Sequence, residues 1–418
     1  MTPPLASAST PDIPGVEKAI DTTIRAWSQR LIEISHEIHR NPELAFEEHH
    51  AAALVAETLR EAGFAAEVGV YGLDTAVEAV YGNSEFVVTL CAEYDALPEI
   101  GHACGHNLIA AAAVGAAVAL AAVADEAGIT VKVLGTPAEE RGGGKVLMLA
   151  AGAWEDCTIS MMVHGGPHAD IRCEQIGMQA VDRFEVTYAG RPAHAAGAPQ
   201  RGVNALDAAT IALTSIGLLS QQLPDTVRVA AIVAEGGAVT NIIPERSVVR
   251  AEVRSFDLEE LRDVKSRVLA CFRAGATASG CTWQHSYLEP RYESMRQDPA
   301  LSTAWNAAVE ALGRTPVDKS GSGISGGSTD MGNVSQVVPA IHPVMAALGV
   351  TALPHTAEFA AEAVSPAADR MVIDGATALA RTAVTAAMTP TTRTDLIARQ
   401  RARRAGATRV SPTPEEGA

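Results

Sequence analysis

The segment 101–107, GHACGHN, places one cysteine between two histidines. Cys104 and His106 stand two residues apart, and cysteine and histidine are common ligands of zinc and other transition metals. Taken alone, the segment fits a metal site, a redox thiol or a histidine-rich turn without chemistry. Its meaning therefore depends on which other side chains the fold brings near it.

Polar side chains also follow three apolar runs that are typical of buried strands. Glu93 and Asp95 close the run FVVTLCAEYD. Glu139 and Glu140 end the run ITVKVLGTPAEE, and His164 follows the apolar part of TISMMVHGG. Ligands of open parallel sheets bind outside the carboxyl ends of the strands, and the loop GHACGHN lies at that same edge. The sequence therefore predicts that one sheet edge gathers Cys104, His106, Glu139, Glu140 and His164, with Asp95 nearby.

Each of these residues also has an ordinary structural interpretation. A histidine after a strand is commonly a hydrogen-bonded loop residue, glutamates suit the first turn of a helix because of its dipole, and a buried cysteine behaves as a small hydrophobe. Their convergence at one edge nevertheless favours a metal site. Zinc suits this ligand set best, with manganese or cobalt as alternatives. Five candidate ligands exceed the three of a one-zinc catalytic site, which favours two divalent ions that share a bridge.

The adjacent glutamates indicate the type of reaction. One carboxylate of such a pair can bind metal. The other, facing the pocket, can take a proton from a metal-activated water and return it to a leaving amine. The sequence therefore predicts a hydrolase that acts on amides.

Two glycine-rich segments raise other chemistries. RGGGK, residues 141–145, lacks the first glycine and the hydroxyl residue of a phosphate-binding loop, since Glu139 and Val146 occupy those positions. GISGG, residues 323–327, matches the G-x-S-x-G pattern of serine hydrolases, but the polar TPVDKSGS precedes it instead of an apolar strand. A pocket-lining loop is the favoured interpretation. A Ser325 nucleophile is the alternative, which sensitivity to serine reagents would support.

The composition bounds the partners and the compartment. The chain has 418 residues, 47% of them apolar, and a formal net charge of −17. A negative chain without a basic stripe is a poor partner for nucleic acid. The six scattered cysteines show no compact disulfide spacing, which indicates a reducing, cytoplasmic location. The first fifteen residues lack the pattern of a secretion signal.

The alanine-rich run over 108–123 is shorter than the roughly 20 residues of a membrane span, so we expect a buried core helix and no membrane partner.

The order of helices and strands predicts two domains. Apolar positions recur at helical spacing over 21–64, and apolar strands then alternate with helices. This pattern indicates an α/β fold whose mostly parallel sheet is covered on both faces. The middle of the chain instead reads β-α-β-β-α-β, an inserted α+β unit of ferredoxin-like order. We therefore expect a disordered lead over 1–20, a catalytic domain over 21–177 and 293–388, the inserted domain over 178–292, and a flexible polar tail over 389–418.

The order of seven motifs resembles a known enzyme family. Over about residues 20–388 the chain contains, in this order, HRNPELAFEE, AEYDALPEIGHACGHN, GTPAEERGGGK, MMVHGGP, GRPAHAA, GGAVTNIIPE and PHTAEF. These motifs resemble the dinuclear metallopeptidases and amidohydrolases of peptidase family M-twenty, subfamily D. The branch that the chain resembles most contains the p-aminobenzoyl-glutamate hydrolases and the β-alanyl dipeptidases.

The resemblance implies a fold and a set of roles. A phosphorylase/hydrolase-like catalytic domain with a mixed, mostly parallel sheet would carry an inserted lid domain, which forms a homodimer through its sheet edge and helices. Glu139 would be the general base, and Asp95 would orient the site. His194 would match a lid histidine that stabilises the tetrahedral oxyanion, in relatives from the dimer partner. Asn241 and Arg254 would match residues that bind a substrate carboxylate. The implied metal ligands are Cys104, His106, Glu140, His164 and His355.

Several segments depart from the subfamily pattern. Asn107 follows His106 where many members have CGHD, GGSTDMGNVSQVVP replaces the SEDFG loop, and HTAEF lacks the usual proline after the threonine. The predicted function is metal-dependent hydrolysis of an amide bond in an N-acyl amino acid or small dipeptide, of β-alanyl or p-aminobenzoyl type. The alternative is a catalytically silent small-molecule-binding protein on the same fold.

Overall fold

The computed structural model describes residues 12–319 and 327–406. Its strands are β1 (Ala65–Val68), β2 (Val77–Tyr81), β3 (Phe86–Glu93), β4 (Ile129–Thr136), β5 (Ile159–Met161), β6 (His164–Gly166), β7 (Ala180–Ala189), β8 (Arg228–Glu235), β9 (Arg246–Ser255), β10 (Thr282–Tyr287), β11 (Ala340–Ile341) and β12 (Val344–Ala346). Its α-helices are α1 (Ile13–Arg40), α2 (His49–Glu61), α3 (His106–Ala121), α4 (Ala124–Ala127), α5 (Gly144–Ala150), α6 (Ala205–Leu219), α7 (Leu258–Ser279), α8 (Pro299–Ala311), α9 (Met331–Val337), α10 (Ala357–Glu362), α11 (Pro366–Met388) and α12 (Pro390–Ala405).

The first sheet has the strand order β1-β2-β4-β3-β5-β11. β3 runs parallel to both β4 and β5, and β11 runs parallel to β5. β2 runs antiparallel to both of its neighbours, β1 and β4. Every residue of β3 and β4 is buried, as expected for apolar strands covered on both faces. The predicted α/β fold with a mixed, mostly parallel sheet is therefore confirmed.

The alanine-rich run forms α3, which contacts the sheet and the long helices α1 and α11. These elements share one apolar core. Gly115 permits the close approach of the helices, because a Cβ there would lie 2.7 Å from Leu31 and 2.9 Å from Ala376. Within the described ranges, no helix has the length and apolar character needed to cross a membrane.

A second sheet lies between Ala180 and Tyr287 and has the order β10-β7-β9-β8, antiparallel throughout. α6 and α7 pack against it, and their apolar side chains form a core separate from that of the first sheet. Its chain order is the β-α-β-β-α-β order read from the sequence. The edge strand β8 exposes apolar side chains, with Ile232 64% and Val233 41% exposed.

The apolar run over 158–166 forms two short strands instead of the single strand predicted from it. β5 belongs to the first sheet, whereas β6 pairs with β12 in a separate two-stranded sheet. The backbone N–H of His164 donates to the Pro343 carbonyl at 2.9 Å. The prediction is wrong because the strands of the run pair with the distant segment 340–346, and local sequence does not encode that partner.

Both ends of the described chain are more ordered than we expected. The prediction of a disordered lead is wrong from residue 13, because α1 begins there and buries Val16 and Ile20, and the Asp12 side chain accepts the Gly15 N–H as its cap. The prediction of a flexible tail is likewise wrong for residues 390–405, because these residues form α12.

Two kinds of contact fix α12 to the domain. Leu396 is buried in the main core. Arg393 donates to the carbonyls of Gly128, at 2.8 Å, and Ala387, at 3.0 Å. A polar sequence can thus form a docked helix when one apolar residue and a few arginine donors find partners.

Candidate metal centre and catalytic pocket

The segment 101–107 forms the turn that leads into α3. Gly105 has a left-handed backbone, with φ of 77°, and a Cβ there would lie 3.3 Å from the Phe359 ring, so glycine suits the position on both counts. His106 begins α3. Its Nδ1 lies 2.9 Å from Asp95 Oδ1, and both side chains are buried. This contact leaves Nε2 of the imidazole to face the other candidate ligands.

The remaining predicted ligands lie around His106. Cys104 Sγ is 3.4 Å from His164 Nε2. Glu140 Oε1 is 3.4 Å from His355 Nε2 and 3.9 Å from His106 Nε2. The structure therefore brings all five predicted ligands together. Three sets of donor atoms that include these ligands lie within 4.8 Å of one another, namely Cys104 with His106 and His164, Cys104 with Glu140 and His355, and His106 with Glu139 and Glu140. Glu93, Glu139 and Asp330 form a fourth set.

The chemistry of this donor set fits a divalent-metal centre. Nε2 of His106 and Oε1 of Glu140 are buried and make no hydrogen bond to the described residues, although buried polar atoms are normally paired. A cation would satisfy both atoms. Burial raises the pKa of the Cys104 thiol, but a thiol that coordinates a divalent cation is deprotonated. Cys104 belongs to two of the donor sets, so its sulfur would be a ligand in either of them.

The charge on His106 is set by its carboxylate neighbour. Burial alone would lower the pKa of the imidazole, but the charge of Asp95 and its hydrogen bond raise that pKa well above the usual range. The same pair lowers the pKa of Asp95, although burial opposes the change. Asp95 is therefore a charged hydrogen-bond partner of the ring.

Glu139 lies beside the cluster and lines the adjoining pocket. Its Oε2 is 3.9 Å from His106 Nε2, and its backbone oxygen accepts a hydrogen bond from Tyr292 Oη at 2.8 Å. Burial and the negative charges of Glu93 and Glu140 raise the pKa of its carboxyl well above the ordinary value. Such an environment is typical of carboxyl groups that transfer protons.

A buried ion network next to Glu139 was not predicted from the sequence. Lys145 Nζ lies 2.5 Å from Glu93 Oε1 and 2.6 Å from Asp330 Oδ1, and all three side chains are buried. Lys145 is the lysine of RGGGK, and Asp330 lies 185 residues away from it, so no local pattern pairs them. The ammonium group offsets the negative charge that the two carboxylates place near the metal cluster.

The cluster opens into a pocket of ≈ 820 Å³, a volume that suits a small-molecule substrate. The second sheet contributes Arg183 and Arg254 to its lining. Both guanidinium groups pair with Glu252, and Arg254 also donates to Ser328 Oγ at 3.1 Å. Apart from Glu139 and Glu140, no described residue of the lining is acidic.

His342 also lines this pocket and was not singled out in the sequence. It directly follows β11, as Glu139 and Glu140 follow β4 after a short loop. The rule that polar residues after parallel strands face the ligand edge would have found it. The signal was missed because β11 has only two residues and its apolar run is short.

His194 and Asn241 lie outside the pocket of their own chain. Both are exposed. The backbone N–H of Ala195 donates to the Asn241 carbonyl at 2.9 Å, and His194 Nδ1 accepts the Gly197 N–H at 3.0 Å. Within one chain, the structure therefore does not bring these two residues to the metal cluster. Ser325 lies outside the described residues.

The sheet, the donor cluster at its carboxyl edge and the adjoining pocket are those of a metallohydrolase, and comparisons with known proteins agree. Residues 89–384 match peptidase family M20/M25/M40, and the chain therefore belongs to this family. The chain is 39% identical over 374 residues to the Xaa-Arg dipeptidase of Mus musculus, with 85% of each chain covered. It is 32% identical over 275 residues to a subunit of the p-aminobenzoyl-glutamate hydrolase of Escherichia coli, which covers 60% of this chain and 56% of that protein.

Solved structures show the same fold. A dinuclear metal-binding peptidase of the M20 family from Bacillus subtilis superposes with a TM-score of 0.67 at 23% identity, covering 86% of this chain and 98% of that one. The curated relatives are a dipeptidase and a hydrolase of an N-acyl amino acid. The predicted class, a peptidase or amidohydrolase that cleaves amide bonds with metal, is therefore confirmed at the level of the family.

Proposed function

We propose that this protein hydrolyses the amide bond of an N-acyl amino acid or small dipeptide, with two divalent metal ions and with Glu139 as general base. One observation carries the proposal. All five predicted ligands lie in one cluster, four of them line the adjoining pocket, and the Glu139 carboxyl lies beside them.

The metal centre would use one sulfur, three imidazoles and one carboxylate. This mixture favours zinc, with manganese or cobalt as the alternatives. When bound, the ions would polarise the substrate carbonyl and activate the attacking water. The ligands would be Cys104, His106, Glu140, His164 and His355.

Glu139 and Asp95 would have separate tasks. Glu139 would accept a proton from the attacking water and deliver it to the nitrogen of the leaving amine. The hydrogen bond from Tyr292 to its backbone oxygen would keep this carboxyl beside the cluster. Asp95 would hold two ligands in place, because Oδ1 contacts the His106 ring and Oδ2 accepts the Glu140 backbone N–H at 3.0 Å.

The part of the pocket that Arg254 lines would bind the carboxylate of the substrate. Arg254 lines it, and three hydrogen bonds to Glu252 and Ser328 fix its guanidinium group. An arginine held in this way suits a planar carboxylate. We propose Asn241 as a second carboxylate ligand, and because it is exposed within its own chain it would have to reach the site of a partner subunit.

We propose that the protein is a cytoplasmic homodimer built by the inserted domain, residues 178–292. The exposed apolar side chains of the β8 edge support this, since an unpaired strand with Ile232 and Val233 exposed is a ready surface for another copy. His194 would then enter the partner's site and donate to the oxyanion that forms when water attacks.

A substrate screen with defined metals tests the function. The protein is purified without chelators, its metal content is measured, and it is assayed on β-alanyl and γ-aminobutyryl dipeptides, p-aminobenzoyl-glutamate, Xaa-Arg dipeptides and N-acetyl amino acids. We expect chelator-sensitive hydrolysis that returns on addition of zinc, manganese or cobalt. Full activity of metal-free protein would contradict the proposal, and binding without turnover would support the silent binding protein instead.

A further inference from the structure

His342 stands at the ligand edge of the sheet, among the residues that would carry the reaction. It follows β11, which runs parallel to β5. Its side chain is 1% exposed and yet lines the pocket. Its ring centroid lies 5.7 Å from that of His164, with the ring planes inclined by 39°. The imidazole therefore lies at the wall of the pocket, next to a predicted metal ligand.

The backbone of His342 is fixed from both sides. Its N–H donates to Gln297 Oε1 at 2.9 Å, and its carbonyl accepts from Gln297 Nε2 at 3.2 Å. The next residue, Pro343, accepts the backbone N–H of His164 at 2.9 Å. A ring carried by a segment held in this way is preorganised, as a group that stabilises a transition state must be.

The hydrogen bonding of the His342 ring is incomplete. Nδ1 is buried and makes no hydrogen bond to the described residues, and a buried polar atom without a partner is uncommon. His342 belongs to none of the donor sets that the described residues offer to a metal ion. Within the described residues, Nδ1 therefore makes no hydrogen bond that would hold the ring in the core. The ring is also not part of any candidate set of metal ligands.

A ring N–H of an imidazole can donate a hydrogen bond to an oxygen atom bound in the pocket.

We propose that His342 is a further catalytic residue, whose ring N–H donates a hydrogen bond to the carbonyl oxygen of the scissile amide and strengthens that bond as negative charge develops on the oxygen. This proposal rests on the proposed function. It differs from the role of His194, because His342 lines the pocket of its own chain and needs no partner subunit.

Two substitutions separate a hydrogen-bond donor from a space-filling ring. We expect His342→Ala to lower kcat by about 10²–10³, the usual effect of losing one oxyanion donor, with a smaller change in KM and unchanged metal content. His342→Gln keeps an N–H donor of similar reach and should recover part of the loss. His285→Ala, which removes an exposed histidine of β10, is the matched control and should behave as wild type.

Binding of a transition-state mimic gives a readout that is independent of turnover. A phosphinic analogue of the best dipeptide substrate carries the tetrahedral oxygens, and groups that act in the transition state bind such analogues preferentially. Calorimetry should show analogue affinity falling in His342→Ala by about the same factor as kcat, while the affinity for the amino acid product stays the same.

Three outcomes would overturn the proposal. Unchanged kcat and analogue affinity in His342→Ala would exclude a catalytic contact. Loss of metal in parallel with activity would make His342 a support of the metal centre. A folded His342→Gln as inactive as the alanine variant would show that ring shape matters instead of the donor. If the wild-type protein hydrolyses none of the amides, the proposed function itself is wrong. This result differs from a failure of the His342 proposal alone, in which the wild-type protein is active and His342→Ala is equally active.

Discussion

Asp95 and His106 are joined by a buried contact of 2.9 Å between Oδ1 and Nδ1. We expect Asp95→Asn to weaken divalent-metal binding by about 10–100-fold, the usual effect of removing the partner of a metal-binding histidine. The neutral amide keeps one acceptor but loses the second, which holds the Glu140 backbone. Competition with a chromophoric chelator measures the affinity. Asp74→Asn, at an exposed position, is the control, and equal affinities would contradict the orienting role.

The two adjacent glutamates should respond in opposite ways to the same change. Glu139→Gln keeps shape and metal but removes the base, so kcat should fall by about 10²–10⁴ with metal content unchanged. Glu140→Gln should instead lose metal, because the substitution removes a carboxylate ligand. Steady-state kinetics and elemental analysis of the same preparations separate the cases. Metal loss in Glu139→Gln would show that this residue is a ligand.

A mixing experiment tests whether the site is shared between subunits. His194→Ala should lower kcat by about 10²–10³ and leave metal and dimer intact. When this variant exchanges subunits with Glu139→Gln, each mixed dimer contains one intact site, so part of the activity should return. Native mass spectrometry verifies the exchange. Verified mixed dimers without activity would place the action of His194 within its own chain or exclude it.

Glu48 makes the stability of the fold depend on pH. Its carboxylate is buried, accepts the Thr75 hydroxyl at 2.7 Å and the Ala138 N–H at 2.9 Å, and burial raises its pKa from 4.5 to about 7. A folded-state pKa above the unfolded value means that this stabilisation is complete below pH 4.5 and is lost as the pH rises through 7.

The difference between Glu48→Gln and wild type measures this contribution. The glutamine cannot ionise, so the variant should gain up to about 3 kcal/mol relative to wild type between pH 5 and pH 8. Denaturant unfolding at both pH values gives the comparison, with the exposed Glu57→Gln as control. A difference that does not change with pH would show that Glu48 has an ordinary pKa in the folded protein.

The C-terminal helix should contribute to stability through one residue above all. Leu396 is buried in the main core, so Leu396→Ala should lower the free energy of unfolding by about 2–5 kcal/mol, the range for removing a buried leucine. Thr394→Ala, on the exposed side of the same helix, should change it little. Thermal and denaturant unfolding measure both variants. Similar stabilities would mean that α12 is not docked in solution.

Local patterns were enough to predict most of the residues that the structure brings together in the candidate metal centre. The wholly apolar β3 and β4 identify strands covered on both faces, and polar residues placed just after such strands must meet at one edge. For that reason the sequence alone predicts that Cys104, His106 and Glu140 lie at one site. The placement of His355 in the same cluster was implied by the resemblance of motifs alone.

What the sequence by itself determined is the class of protein: the ligand types, their order along the chain and the alternation of strands and helices all depend on neighbours within a few residues. Tertiary structure alone decided the rest. It paired Lys145 with Asp330, 185 residues apart, split the run over 158–166 between two sheets, and docked α12 on the core. It also turned His342 into the pocket while leaving His194 exposed. These outcomes depend on packing between segments distant in sequence, and the free energy of such contacts is set by burial and geometry that no local pattern records.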